Sequence, residues 1–239
     1  TGDLAGTWLF PAALITIAIG AFGVLGARRL MPLIAFSVVG SMGTLLIAVA
    51  AFSPDATLAA LNYMVHSTYA AACLFLIADL VVTRRQADTL TPAPATLQNG
   101  LFAALFFAAA IGMAGMPPLS GFLGKLLILD ALRAPGIIGW AWPAILIGSL
   151  LTIVGFARAG SALFWKSTAV AAPDPAPEAI AVPPMASALQ LAPAMAGIAM
   201  LGALSAFAGP VAGYLEGTAT QLYDRQGYVS SVLNPGGGE

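Results

Sequence analysis

The feature that most constrains this chain is a series of apolar runs, each about 20 residues long and almost free of charge. A helix needs roughly 20 apolar residues to cross about 30 Å of hydrocarbon. The runs that meet this requirement directly are Thr7–Gly26, Leu33–Phe52, Thr57–Val82, Gly139–Trp165 and Ser187–Leu215. Each of them predicts a membrane-spanning helix.

The low charge content excludes several classes of protein. Only 8% of the 239 residues are charged, whereas a soluble domain carries about 25%. Nine Lys+Arg against ten Asp+Glu leave no basic patch for nucleic acid. The single cysteine, Cys73, excludes a disulfide framework or a thiolate metal site. A disordered chain, a nucleic-acid-binding protein and an ordinary cytosolic enzyme are therefore excluded, and a polytopic helical membrane protein remains.

The segment Asn99–Arg133 does not fit a simple span. As a continuous helix it would be roughly 52 Å long, too long for one crossing and too short for two crossings with a turn. Pro117, Pro118 and the neighbouring Gly121 interrupt its middle, where a regular helix cannot continue. The sequence therefore predicts one discontinuous span here, and an all-α bundle of about six transmembrane helices in total.

The predicted organisation is a transmembrane bundle over residues 1–215, which includes a proline-rich loop at 167–186, and an interfacial C-terminal helix with a flexible tail over residues 216–239. The chain starts at Thr1 rather than Met, which suggests a fragment or a processed chain. Thr7–Gly26 is predicted to be a span rather than a signal peptide.

The basic residues in short loops predict the orientation in the membrane, because cytoplasmic loops carry an excess of Lys and Arg. With six spans, one side holds most of these residues and the other side holds only Arg133 and Arg225. The richer side, which is expected to be cytoplasmic, has Arg28, Arg29, Arg84, Arg85 and Lys166. The C-terminus is then outside the cytoplasm.

Lys125 is the strongest candidate for function, because a charge inside a span is costly and is a functional candidate by default. It lies in the apolar run Phe122–Leu129, just after the proline break. Burial favours the neutral amine, so this group is suited to binding and releasing a proton. The alternative is that Lys125 extends its ammonium to the membrane interface.

The proline break provides a second candidate feature. Pro117 and Pro118 have no N–H, so the carbonyls of Met113 and Ala114 lose their usual helical donors. Freed backbone carbonyls at membrane depth can bind water or a cation. The alternative is that the prolines only kink the helix.

His66 is the only histidine, and it lies roughly 13 Å inside its predicted span. Imidazole gains and loses a proton near neutral pH, which suits a relay, and Ser67 and Thr68 could hold waters beside it. The alternative is a packing histidine bonded to a neighbouring helix. No second His or carboxylate follows three or four residues later, so no metal site is predicted.

Two acidic residues have structural interpretations as well as functional ones. Asp79 lies in the last turns of the third span, where pairing with Arg84 or Arg85 is favoured over a relay role. Asp130 lies three residues before Arg133, a spacing that predicts a local ion pair.

Arg158 lies two turns before the end of the fifth span. It could extend toward the cytoplasmic face or line a charged path. Ser37 and Ser41 share a face of the second span with Gly40 and Thr44, which favours helix packing, with a supporting role for Ser41 as the alternative.

Several motifs together resemble a known family. The stretches Asn62–Thr68 and Cys73–Leu76 resemble the histidine-bearing helix of the proton-translocating antiporter-like membrane subunits, which occur in respiratory complex I and in Mrp-type cation/proton antiporters. Ala114–Lys125 resembles the family's second broken helix with its central lysine. Leu33–Ser37 resembles the helix that precedes the histidine helix, and the segment from Tyr214 onward is similar to the D subunit of the Mrp or Pha type.

The resemblance implies the C-terminal portion of a longer D subunit. It implies a Na⁺ or K⁺/H⁺ antiporter in a bacterial inner membrane, in which protons move along a hydrophilic axis. Lys125 would be the terminal proton-loading site and His66 an intermediate carrier. It implies a transporter component rather than an enzyme, with no cofactor of its own, and other Mrp-type subunits as partners.

Three alternatives remain at this stage. The first is a proton-pumping membrane component of complex I or of a related membrane-bound hydrogenase, driven by redox chemistry elsewhere. The second is a non-transporting scaffold in which Lys125 is structural. The third is an intramembrane enzyme, which would need a nucleophile–base pair or a metal cluster that the sequence does not offer.

Overall fold

The computed structural model describes residues 2–171 and 185–224, with side chains from residue 6 onward. Within these ranges every regular element is a helix, and one isolated bridge joins Arg29 to Thr89. The helices are α1 (Gly2–Gly26), α2 (Leu30–Ala50), α3 (Pro54–Arg85), α4 (Asn99–Ala114), α5 (Ser120–Ala131), α6 (Ile138–Gly160), α7 (Ala188–Ala206) and α8 (Ala208–Tyr223). The all-α prediction is confirmed.

Five described helices or helical stretches are long and apolar enough to cross a membrane, and α4 is a shorter apolar helix. This agrees with about six spans. The last part of the fifth predicted span differs from a regular α-helix, because α6 ends at Gly160 and continues as a π-helical turn (Ser161–Trp165) and a 3₁₀ turn (Lys166–Ala169).

Helices α1 and α2 pack against each other more extensively than any other pair. Small residues at their contact make this possible, because they let two backbones approach closely. A side chain added at Gly20 would collide with the backbone of Gly40, and one added at Gly43 would collide with Ile17. Helix α6 also packs against α1.

Helix α3 is the longest element, and most of the bundle is arranged around it. Ser53 caps its N-terminus by accepting from the N–H of Ala56, and Pro54 occupies the first turn, where its missing N–H costs nothing. Its 32 residues correspond to about 48 Å. Helices α2, α4, α5, α7 and α8 all contact it.

The predicted discontinuous span is present, since α4 ends at Ala114 and α5 begins at Ser120. The predicted sixth span, by contrast, is two helices that meet at Phe207. Pro210 has no N–H to offer the carbonyl of Ala206, and the regular helix is interrupted at this point.

Helices α7 and α8 together run antiparallel to α3. The Arg84 guanidinium donates to Gln190 Oε1 at one end (3.3 Å), and Thr57 and Tyr223 share a hydroxyl hydrogen bond at the other (3.0 Å). Helix α8 continues through residues 215 and 216, the predicted boundary between bundle and tail. Residues 225–239, and residues 172–184 of the proline-rich loop, lie outside the described part of the chain.

Candidate functional site

Lys125 lies in the second turn of α5, immediately after the break, and is only 9% exposed. Its Nζ donates to the carbonyl oxygen of Ala114 at 2.7 Å and to Ser149 Oγ, on α6, at 2.8 Å. The ammonium therefore does not extend to an interface. It is held inside the bundle by one backbone group and one hydroxyl.

The carbonyl that Lys125 binds is one that the prolines set free. In an unbroken helix the carbonyl of Ala114 would accept from residue 118, but Pro118 has no N–H. The last turn of α4 closes instead through Gly115 N–H to Gly112 O and Met116 N–H to Ile111 O, both at 3.0 Å. The freed oxygen thus binds the lysine of the same broken span.

Gly115 shapes the passage for the lysine side chain. Its φ of +77° is the left-handed conformation that glycine adopts without steric cost. The Lys125 chain also passes so close that a Cβ at this position would lie 2.7 Å from Cδ and 2.9 Å from Nζ. The left-handed backbone conformation favours glycine, and the adjacent lysine leaves no room for a Cβ, so both features require glycine at this position.

His66 lies on α3, 2% exposed, and bonds to both sides of the same break. Its Nε2 is 3.1 Å from the carbonyl oxygen of Gly112, and its Nδ1 is 2.8 Å from Ser120 Oγ. Because a carbonyl oxygen only accepts, Nε2 carries a hydrogen. In the neutral ring, Nδ1 then accepts from the Ser120 hydroxyl.

A small polar cavity of about 20 Å³ lies beside Lys125, between α2, α3 and α6. That volume is close to the space needed by one water molecule. Hydroxyl groups make up much of its wall, from Ser37, Ser41, Thr44, Tyr63, Ser149 and Thr152. Ser41 Oγ donates to Tyr63 Oη at 3.0 Å, and Met113 also lines the cavity.

Several other candidates lie away from this centre or bind locally. Asp79 is exposed on α3, and no ion pair joins it to Arg84 or Arg85 among the described residues, because both arginines bond to carbonyl oxygens or an amide instead. Ser67 and Thr68 both donate to the carbonyl of Met64. These hydroxyls are therefore not directed at His66.

Arg158 has a local structural partner. Its guanidinium donates to the carbonyl oxygens of Val24 (3.2 Å) and Ala27 (2.7 Å) at the C-terminal end of α1, where the last carbonyls of a helix lack intrahelical donors. The predicted ion pair between Asp130 and Arg133 is present at 2.6 Å. Within residues 2–171 and 185–224, no group of three or more His, Cys, Asp and Glu could hold a metal ion.

Three residues at the centre were not among those predicted from the sequence. They are Ser149, which binds the lysine; Ser120, which binds the histidine; and Tyr63, which lines the cavity. Ser149 and Thr152 are isolated hydroxyls at helical spacing in the apolar α6, and that signal marks a polar face. Tyr63 and Ser120 gave no signal beyond their places in the two motifs.

The fold and this centre define a class: polytopic helical membrane proteins with a broken helix whose free carbonyl binds a buried lysine. The chain belongs to the family described as NADH:quinone oxidoreductase/Mrp antiporter, TM, which matches residues 3–155. That match includes nearly all of α1 and the whole of α2 to α5, and with them Lys125, His66 and the break.

Curated relatives extend the similarity to almost the whole chain. The D subunit of a probable K⁺/H⁺ antiporter of Rhizobium meliloti (strain 1021) is 29% identical over 95% of this chain and 46% of its own length. The D subunit of a Na⁺/H⁺ antiporter of Bacillus subtilis (strain 168) is 28% identical over 66% of this chain and 31% of its own length. The chain thus spans less than half the length of these relatives.

A solved structure agrees with these relatives. A chain of the Mrp complex from Dietzia sp. DQ12-45-1b superposes with a TM-score of 0.79 and 26% identity, over 97% of this chain and 50% of that one. The fold of this chain is therefore shared with a chain of the Mrp complex.

Proposed function

We propose that this chain is part of the D subunit of a multisubunit Na⁺ or K⁺/H⁺ antiporter, and that Lys125 takes up and releases the transported proton. One observation supports this proposal above all: a lysine amine lies 2.7 Å from a carbonyl that a proline break has freed, in the middle of an apolar bundle. The two antiporter relatives and the Mrp complex support the antiporter class.

The environment of Lys125 allows both of its protonation states. The ammonium has hydrogen-bond acceptors in Ala114 O and Ser149 Oγ, which compensate part of its lost hydration. The neutral amine keeps hydrogen-bond partners among the same groups and in the hydroxyl-lined cavity beside it. Because both protonation states have suitable surroundings, the amine can change charge without a rearrangement of the bundle.

His66 serves in this proposal as an intermediate carrier or as an organiser of the break. Its two hydrogen bonds connect α3 to the last turn of α4 and to the start of α5. We expect His66→Ala to lower the rate of exchange or to shift its pH optimum. If neither quantity changes, His66 has a packing role only.

The test uses the full-length protein in its assembled complex, in everted membrane vesicles, with cation-dependent dissipation of a pH gradient as the readout. Lys125→Ala is expected to abolish exchange. Lys125→Arg is expected to fail as well, because guanidinium stays protonated. Lys166→Ala is the matched control, since Lys166 is exposed at the far end of the α6 segment.

Normal exchange in Lys125→Arg would contradict a role that requires deprotonation. Normal exchange in Lys125→Ala would favour the scaffold alternative. For every variant the amount of assembled complex in the membrane is measured before the exchange assay, so that a loss of protein is not mistaken for a loss of transport.

A redox-driven pump remains the second candidate, because the family includes NADH:quinone oxidoreductase membrane proteins. The same lysine would then move protons without exchanging Na⁺ or K⁺. Genes for small Mrp subunits beside this one would favour the antiporter. We further propose that the protein lies in a bacterial inner membrane, with its C-terminus outside the cytoplasm and other Mrp-type subunits as partners.

A further inference from the structure

The contacts around the Lys125 amine point to the group with which it exchanges its proton, provided that the proposed function holds. We propose that Lys125 is connected through one water molecule in the hydroxyl-lined cavity to Tyr63 and Ser41. Ser149 positions the amine at the mouth of this connection. The immediate proton partner of Lys125 is then on the side of α2 and α6 rather than on the side of His66.

The hydrogen bonds of His66 separate it from Lys125. Both ring nitrogens are already occupied, Nε2 by Gly112 O and Nδ1 by Ser120 Oγ. His66 also does not line the cavity beside Lys125. A proton passing directly between the two residues would first have to break one of two buried hydrogen bonds, each of which is costly to leave unmade.

The donors of Lys125 leave room for a water molecule. An ammonium has three N–H donors, and Ala114 O and Ser149 Oγ account for two of them. Lys125 lines the cavity together with hydroxyl groups, so a water there can accept the third. A buried water is stable when the site is polar and offers two to four partners, and this cavity meets both conditions.

Tyr63 extends the connection beyond the water. It is only 1% exposed, and its hydroxyl accepts from Ser41 Oγ at 3.0 Å. A phenol that accepts one hydrogen bond still has its own O–H to donate. The cavity it shares with Lys125 has space for a water that can accept this hydrogen, beside the Thr44 hydroxyl, which is also a hydrogen-bond partner of the phenol. Water, phenol and serine thus form a continuous chain of groups that both donate and accept.

The position of Ser149 explains why the amine faces this cavity. Ser149 on α6 and Tyr63 on α3 both line the cavity. The 2.8 Å bond to Ser149 Oγ therefore directs Nζ toward the cavity, while the bond to Ala114 O keeps it at the break. Ser149 acts through the lysine and is a positioning residue.

The experiment compares Tyr63→Phe, Ser41→Ala and Ser149→Ala in the full-length protein within its complex, using the vesicle exchange assay. Each variant is expected to lower the maximal exchange rate about tenfold. This decrease is smaller than the ~10²–10⁴-fold rate contribution of a direct acid–base group, because an additional water partly substitutes for the lost hydroxyl. The half-saturating cation concentration is expected to stay unchanged, and a purely structural defect would not give that combination.

Tyr69→Phe is the matched control, because Tyr69 lies on the same helix but is 40% exposed and lines an apolar groove against α7. It is expected to exchange at the normal rate. Ser149→Thr keeps the hydroxyl and is expected to recover most of the rate lost in Ser149→Ala.

Normal rates in both Tyr63→Phe and Ser41→Ala would overturn the inference. If Tyr63→Phe does not assemble, Ser41→Ala decides, since it removes the partner of the phenol and leaves the ring in place. If Lys125→Arg is inactive while these variants exchange at the normal rate, the inference fails but the proposed function stands. If Lys125→Arg is active, the proposed function fails as well.

Discussion

Replacing Gly121 by alanine is expected to break the contact between His66 and the proline break. Gly121 lies in the first turn of α5, directly against the imidazole. A Cβ built at this position would lie 2.5 Å from His66 Nε2 and would also collide with the carbonyl oxygen of Gly112. These two atoms form the hydrogen bond that joins α3 to α4, so the added methyl group forces apart both partners of one bond.

The size of the effect follows from that geometry. The His66–Gly112 bond is 3.1 Å long, and an outward shift of about 1 Å would end it. A buried donor or acceptor left unsatisfied costs about 1–3 kcal/mol, and overpacking a tight site costs about 1–3 kcal/mol more. The higher helix propensity of alanine offsets this loss by about 0.5–1 kcal/mol. A net loss of about 1–5 kcal/mol is expected.

The assay is thermal unfolding of the purified complex in detergent, compared with the parent protein. A loss of that size corresponds to a decrease in Tm of at least about 2 °C, since about 1 kcal/mol shifts Tm by about 2–4 °C for a unit of about 150–250 residues. Gly202→Ala is the control, because Gly202 lies inside α7 with nothing within 4 Å of an added Cβ. An unchanged Tm in Gly121→Ala, with Gly202→Ala also unchanged, would refute the packing argument.

Two further predictions concern the same break. Gly115→Ala is expected to abolish exchange in vesicles, because a φ of +77° and the adjacent Lys125 side chain both exclude a Cβ; exchange at the parent rate would show that α4 can end differently. Ser120→Ala removes the hydroxyl 2.8 Å from His66 Nδ1, and an unsatisfied buried nitrogen costs about 1–3 kcal/mol; a lower melting temperature than the parent is expected, and an unchanged one would mean that water replaces the hydroxyl.

The local features of the sequence were sufficient to predict the broken span. Pro117 and Pro118 remove two helical donors, and this consequence depends on no distant residue. The freed carbonyl of Ala114 was predictable for the same reason. The sequence suggested water or a cation as its partner, whereas the structure shows the Lys125 amine, eleven residues along the chain.

The break between α7 and α8 was missed because the apolar pattern continues across it. Hydropathy predicts which segments lie in the membrane, but it does not register a missing N–H at Pro210. The ion pair expected for Asp79 was wrong for a different reason. Proximity along the helix put arginines within reach, but Arg84 and Arg85 found acceptors on other helices, at Gln190 and Leu163.

The sequence by itself determined that this chain lies in a membrane, that one of its spans is interrupted, and that a lysine lies beside the interruption. Each of these follows from apolar length, proline chemistry and local spacing. Only the tertiary structure decided the partners of that lysine and of His66. Those partners, Ser149 and Ser120, are separated from them by 24 and 54 positions, so the packing of helices, rather than any local pattern, brings them together.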